Sequence, residues 1–262
     1  RTLENVTIRG AEGEKKTVID GLTLPTGHIY GTGKKNPVTG ADIVDTTNSY
    51  YSVLNLKNIT IENISFTKSV YLSAYTGDQY CTVDGFTLRN CSYTGTDKTV
   101  NSNENRLLSV GNTTNDLKNF VIENCTVDTA FQGVYVQAVN GIRVTKCSFN
   151  SLGHNAIAIQ DGTLNQGGVN TICPSGGEIV LTDNIISNGD DRAIRFGHIA
   201  EGSAITITGN TFTDASDSDG ELIKAESLAQ NAVITVQNNT WTEEGVTKSE
   251  EELLDAISGI FL

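Results

Sequence analysis

Arg195 and Lys224 each follow a turn rich in carboxylates, Asp190 and Asp191 before the first and Asp217, Asp219 and Glu221 before the second, a set able to place base, cation and acid around one substrate. Proton abstraction beside a carboxylate needs a base and cations that hold the charge as it forms. Arg195, Lys224 and Asp191 suit those roles. The stretch AspSerAspGlyGlu at 217–221 sets oxygen donors at alternating positions around a turn-making glycine, which suits Ca²⁺ with Asp190 as a further ligand, although it is shorter than an EF-hand loop. A second chemistry, acid and base across a glycosidic bond, would use the adjacent acids of Asn188-Gly189-Asp190-Asp191. Tyr135, Gln137, His154, Gln160 and Glu226 add a stacking ring, amides and titratable groups suited to binding. The plain structural alternative is that Arg195 and Lys224 form ion pairs with Asp191, Glu221 and Glu226 on a solvated surface, and that His154 is a turn histidine.

Residues so far apart in sequence meet only if the chain stacks them, and its internal repeat does that. Two apolar residues flank a polar one, two polar positions follow, then a small residue and another apolar one. The phrase reads IleThrIle at 59–61 with Ile64 and Phe66, PheThrLeu at 86–88 with Cys91 and Tyr93, and PheValIle at 120–122 with Cys125 and Val127. It continues through Cys147, Asn184, Asn210 and Asn239, with Ala11 as a weaker first copy. From Ile64 onward the small position returns every 22 to 37 residues, one turn of a three-sided coil. Between these phrases lies a second triplet, at Leu108-Ser109-Val110, Val134-Tyr135-Val136, Ile157-Ala158-Ile159, Ile194-Arg195-Phe196 and Ile223-Lys224-Ala225.

Period-two alternation turns the outer members of each triplet inward and the middle one outward. Coils about 4.8 Å apart then bury one aliphatic column per inward position while backbone hydrogen bonds close between turns. Eight coils make a rod about 38 Å long. Stacked asparagines chain their amides as in cross-β ladders, and Cys91, Cys125 and Cys147 in the same column read as buried free thiols. Cys81 and Cys173 fall in turns three coils apart, too far to bridge unless a loop folds back.

Composition agrees with a thin rod. Hydrophobic residues make up 37% of the 262, below the usual share, while 26 Gly and abundant Thr and Asn signal many short strands and turns. A formal charge of −13 repels nucleic acid and anionic membranes, and no basic cluster offsets it. No apolar run reaches the length of a membrane span. The chain opens at Arg1 and holds no Met, as expected of a mature or excised segment. Residues 24–50 and 161–177 leave the repeat as long excursions. Ser249 with Glu252 forms a capping box, after which Leu253, Leu254, Ile257 and Phe261 share one helical face, a helix fit to close the last coil.

In this pattern the chain resembles the right-handed parallel β-helix superfamily that includes pectate lyases, polygalacturonases and surface proteins with generic β-helix repeats. The resemblance spans residues 3–241 and implies an all-β, single-stranded right-handed parallel β-helix of three sheets and about eight coils over residues 3–245, with a capping helix at 249–262. It also implies that the small column lies between the second and third strands of each coil. The triplets around Tyr135, Arg195 and Lys224 would then form the first-strand sheet, along which sugar-binding grooves run. The function expected is a secreted or cell-surface bacterial protein facing a polysaccharide. A monomeric Ca²⁺-dependent lyase acting on a uronate-containing glycan leads, with a non-catalytic adhesion module and a glycoside hydrolase as alternatives. The acid pair at Asp190 and Asp191 looks like that of polygalacturonases, but the Asn-x-Asp, Gly-His-Gly and Arg-x-Lys motifs that accompany it there are missing.

Overall fold

The computed structural model describes residues 2–11, 17–25, 27–30, 50–53, 55–73, 82–111, 117–166, 169–229 and 231–258. Face one stacks the parallel strands Thr2–Arg9, Asn55–Glu62, Val83–Arg89, Leu117–Glu123, Val139–Thr145, Gly176–Thr182, Ala204–Thr208 and Val233–Gln237 in that order. Face two runs from Thr17–Ile19 and Ile64–Phe66 through Ser148–Leu152 to Thr240–Glu243, where Val246–Thr247 folds back antiparallel. Face three runs from Leu22–Pro25 and Val70–Ser73 through Leu108–Gly111, Val134–Gln137, Ile157–Gln160 and Ile194–Ile199 to Ile223–Leu228 and Ile257–Ser258. Each strand pairs with its counterpart one coil away, so the chain is a parallel β-helix.

Register proves the columns. Ile59, Phe86, Phe120, Ile142, Ile179 and Ile205 are successive partners on face one, and all are buried. Each such side chain taken out of water contributes roughly 1.5–3 kcal/mol, which a rod with few apolar residues repeats coil after coil.

Between faces one and two the small column forms as the repeat requires. Asn184 Nδ2 donates to Asn210 Oδ1 at 3.0 Å, and Asn210 Nδ2 donates to Asn239 Oδ1 at 2.9 Å. Each amide also reaches back one coil, Asn184 to the Val144 carbonyl and Asn210 to that of Leu181, both at 2.9 Å. The thiols of Cys91, Cys125 and Cys147 point at the same carbonyl row, those of Ile61, Leu88 and Ile122. Contact with the next thiol, then burial, pushes the Cys91 and Cys125 pKa values far up, so both are unreactive.

Corners are made by left-handed residues. Just before the small column stand Asn63, Asn90, Asn124, Lys146, Asp183 and Asn238, all with φ between 51° and 59°. Asn and Asp tolerate this region, which other side chains enter at a cost.

Several expectations change. Thr17, not Ala11, pairs with Ile64 and begins the small column; Ala11 is exposed and its N–H caps Thr17 Oγ1. The capping box at Ser249 and Glu252 is present, but the helix ends at Asp255, and Ile257 forms the last rung of face three instead of a helical face. Phe261 and Cys81 lie outside the described residues. Cys91, Cys125 and Cys147 are free and buried, and Cys173 is buried as well. Both excursions contain antiparallel hairpins, Gly27–Tyr30 with Tyr50–Val53 and Gly162–Gln166 with Val169–Cys173.

Candidate functional site

Face three presents one outward row of mixed chemistry: Tyr71, Ser109, Tyr135, Ala158, Arg195 and Lys224 are successive register partners. Gln137 and Gln160 pair in the adjacent row, where Gln137 Nε2 donates to the Asp161 carbonyl at 3.2 Å and Gln160 Nε2 to that of Arg195 at 3.3 Å. Arg195 Nη2 binds Glu226 Oε1 at 2.7 Å, while its Nε is buried without a partner. Lys224 Nζ lies 3.8 Å from Glu221 Oε2. Six residues anticipated for the site, Tyr135, Gln137, Gln160, Arg195, Lys224 and Glu226, therefore share one surface.

The turn entering this face holds a second group. Asp191 Oδ2 lies 3.0 Å from His154 Nε2 and accepts from Asn155 Nδ2 at 3.2 Å. His154 Nδ1 meets Gln132 Nε2 at 3.3 Å, and its ring stacks on Phe131 with centroids 5.3 Å apart. Both imidazole nitrogens are thus engaged, which makes His154 a strut, with Asp191 as its support. Arg192, missed in the sequence, occupies the centre: its guanidinium contacts Asp191 at 3.0 Å, Asp217 at 2.6 Å and Glu221 at 2.5 Å.

That arrangement does not fit Ca²⁺. Asp217 Oδ1 accepts the backbone N–H groups of Asp219 at 3.0 Å and Glu221 at 2.8 Å, and its other oxygen is held by Arg192. Asp190 turns away to Lys98 at 2.6 Å, and Asp219 is exposed. A guanidinium already stands among these acids. Among the described residues no three His, Cys, Asp or Glu side chains converge as a metal site. Asp190 and Asp191 are held by separate partners, Lys98 for the first and His154 with Arg192 for the second.

Residues 95–107 leave face two after Thr94 and lean over the middle coils before rejoining face three at Leu108. Asn105 braces this excursion, donating to the carbonyls of Asp97 at 2.7 Å and Val100 at 2.8 Å and accepting from Tyr93 Oη at 2.9 Å. Lys98 pins the far end to Asp190. Arg106 is thereby laid over the Tyr135 ring, its guanidinium carbon 4.3 Å from the centroid and 6.0 Å from that of Phe131. Burial raises the Tyr135 pKa against the opposing pull of Arg106 and Arg195, so the phenol stays protonated. Arg106 sits outside every copy of the repeat phrase, and nothing in its own sequence neighbourhood marks it. Toward the N-terminal end the face opens into a groove of about 470 Å³ lined by Thr23, Lys68, Tyr71 and Asn103.

Fold and surface define a parallel β-helix with one chemically mixed face. No family model, no curated protein and no solved structure matches the chain.

Proposed function

We propose that this chain binds a polysaccharide along the outside of face three, as rods of the pectate lyase-like superfamily do, in a secreted or surface-displayed setting. One observation carries the reading: rings, cations, amides and acids share two neighbouring rows of face three, Tyr71 to Lys224 and Gln137 to Glu226, whereas the matching rows of face two are largely Ser and Thr, such as Ser65, Ser92, Thr126, Ser148 and Thr211. Aromatic rings pack sugar faces while amides and charges fix orientation, the usual division of labour in such sites.

If bound uronate is cleaved, the step is an elimination. A base takes the C5 proton, that electron pair forms the C4=C5 double bond as the C4–O bond breaks, the departing O4 takes a proton from water, and a cation holds the carboxylate charge throughout. Arg195 and Lys224 share the roles of base and cation in this reading, and Asp191 positions His154 and Arg192. Incubation with polygalacturonate, alginate and a neutral glucan tests it. Retention on the polymers supports binding, and absorbance from unsaturated ends adds elimination. Reducing ends without that absorbance would mean hydrolysis, and failure to bind any of the three overturns the reading.

A further inference from the structure

Every described arginine except Arg106 has a carboxylate partner: Arg9 and Arg89 with Glu62, Arg143 with Glu178, Arg192 with three acids, Arg195 with Glu226. Arg106 is also the most buried of them, 5% exposed. In a chain of charge −13, acids are plentiful, yet this guanidinium meets only neutral acceptors. Nη1 donates to Asn103 Oδ1 at 2.8 Å and Ser109 Oγ at 3.3 Å, Nη2 to Asn101 Oδ1 at 3.3 Å, and Nε is buried with no acceptor. A desolvated charge without a counter-ion is expensive, and the two ring contacts offset only part of that.

We propose that Arg106, stacked on Tyr135 and fenced by Asn101, Asn103 and Ser109, is an oxyanion subsite that receives a carboxylate or sulfate ester carried by the glycan. Asn101 and Asn103 are exposed, and their amide oxygens sit on the two terminal nitrogens of the guanidinium fork, the places a bidentate oxyanion takes. The incoming anion displaces these two neutral oxygens and supplies the missing counter-charge, with no covalent change. This subsite rests on the proposed path of the glycan along face three, because Tyr135 is part of that row.

The test compares wild type with Arg106→Met, which keeps an unbranched apolar stem and removes the guanidinium with its charge. The probes are a galacturonate trimer, its neutral methyl ester, a sulfated neutral trimer, and sodium sulfate against sodium chloride at equal ionic strength. Wild type is expected to bind one of the two charged trimers at least tenfold more tightly than the ester, and which one it prefers identifies the oxyanion. Arg106→Met should lose that preference, keep its affinity for the ester, and melt no lower than wild type without ligand. Equal discrimination by both proteins overturns the subsite while leaving glycan binding intact. If no trimer binds, the proposed function has failed, and sulfate decides alone: a larger rise in Tm for wild type than for Arg106→Met supports the subsite, and equal rises, the general effect of an excluded salt, overturn it. Should Arg106→Met not fold, Asn101→Ala with Asn103→Ala bares the fork instead. A greater sulfate-induced rise in Tm is then expected, and an unchanged one overturns the proposal.

Discussion

Faces one and three are built from the same stacked, in-register strands, yet they treat charge in opposite ways. On face one the outward row Arg9, Glu62, Arg89, Glu123 alternates in sign from coil to coil, and the row Glu4, Lys57, Asp84, Lys118 does the same. Most of these charges pair one rung away: Arg89 lies between Glu62 and Glu123, and Lys57 reaches Glu4 at 2.7 Å, while Lys118 only faces Asp84 in register. Face three sets Arg195 beside Lys224 with no acid between them in the row, and leaves Arg106 without any. A surface that closes its own electrostatics has nothing left to offer a ligand. One that leaves cations under-compensated next to rings and amides does.

The largest effect should come from removing face three's cations. Arg195→Ala with Lys224→Ala is expected to weaken glycan binding or cleavage at least 100-fold, about 2.7 kcal/mol, whereas Arg89→Ala with Lys118→Ala leaves it unchanged. Binding isotherms for the two double variants check this, and equal losses would erase the distinction between the faces. Next in size is stability. Glu62 is 6% exposed and holds Arg9 and Arg89 together, so Glu62→Gln is expected to cost about 2 kcal/mol in urea unfolding. Glu226→Gln on face three, a pair more than a third exposed on both sides, should cost at most about 0.5 kcal/mol.

What the sequence shows of these faces follows from what repeats. Columns are legible because each coil restates them: the triplets at 59–61, 86–88 and 120–122 and the small residues from Cys91 to Asn239 carry the same physical demand every turn. The row through Tyr135, Arg195 and Lys224 was legible for the same reason. Arg106 and Arg192 were not, since their roles come from the turns and excursions between copies, where a side chain's destination depends on three-dimensional contacts such as Asn105 with Tyr93. The start of the column was misplaced for a related cause. Ala11 fits the spacing, but it is exposed, and Thr17 is the residue in register with Ile64. Left-handed corners were legible in principle, as Asn63, Asn90, Asn124 and Asn238 each precede a column residue, although Lys146 breaks that rule.

A third, smaller effect concerns acid. Asp161 follows the strand Ile157–Gln160, and its Oδ1 accepts the His198 N–H at 3.1 Å with the imidazole Nδ1 also 3.1 Å away. Burial alone would push its pKa up, but these contacts with His198 hold it below the ordinary value. A carboxylate with a lower pKa folded than unfolded brings stability that is complete above about pH 4 and disappears as pH falls through the lowered value. Asp161→Asn lacks the contribution at every pH. The unfolding free energies of wild type and Asp161→Asn should therefore differ at neutral pH and converge once the pH has fallen below the lowered value; a constant gap would show that the side chain acts by packing.

The smallest effect is the most informative about face one. Lys118 faces Asp84 in register and is exposed without a close ion pair, and Lys57 with Glu4 is about half exposed on both sides. Single Lys118→Ala and Lys57→Ala substitutions are each expected to change unfolding free energy by less than about 1 kcal/mol, and the double variant to add them within about 0.5 kcal/mol. Such pairs stabilise weakly, so their alternation matters for which strands meet. A strand that skipped a coil would set Arg9 against Arg89 and Glu62 against Glu123, like charges facing at rung spacing. Reversing Lys57 and Lys118 to Glu together should then slow refolding from urea far more than it lowers equilibrium stability. Loss of stability with an unchanged refolding rate would show that face one's charges act as ordinary surface pairs.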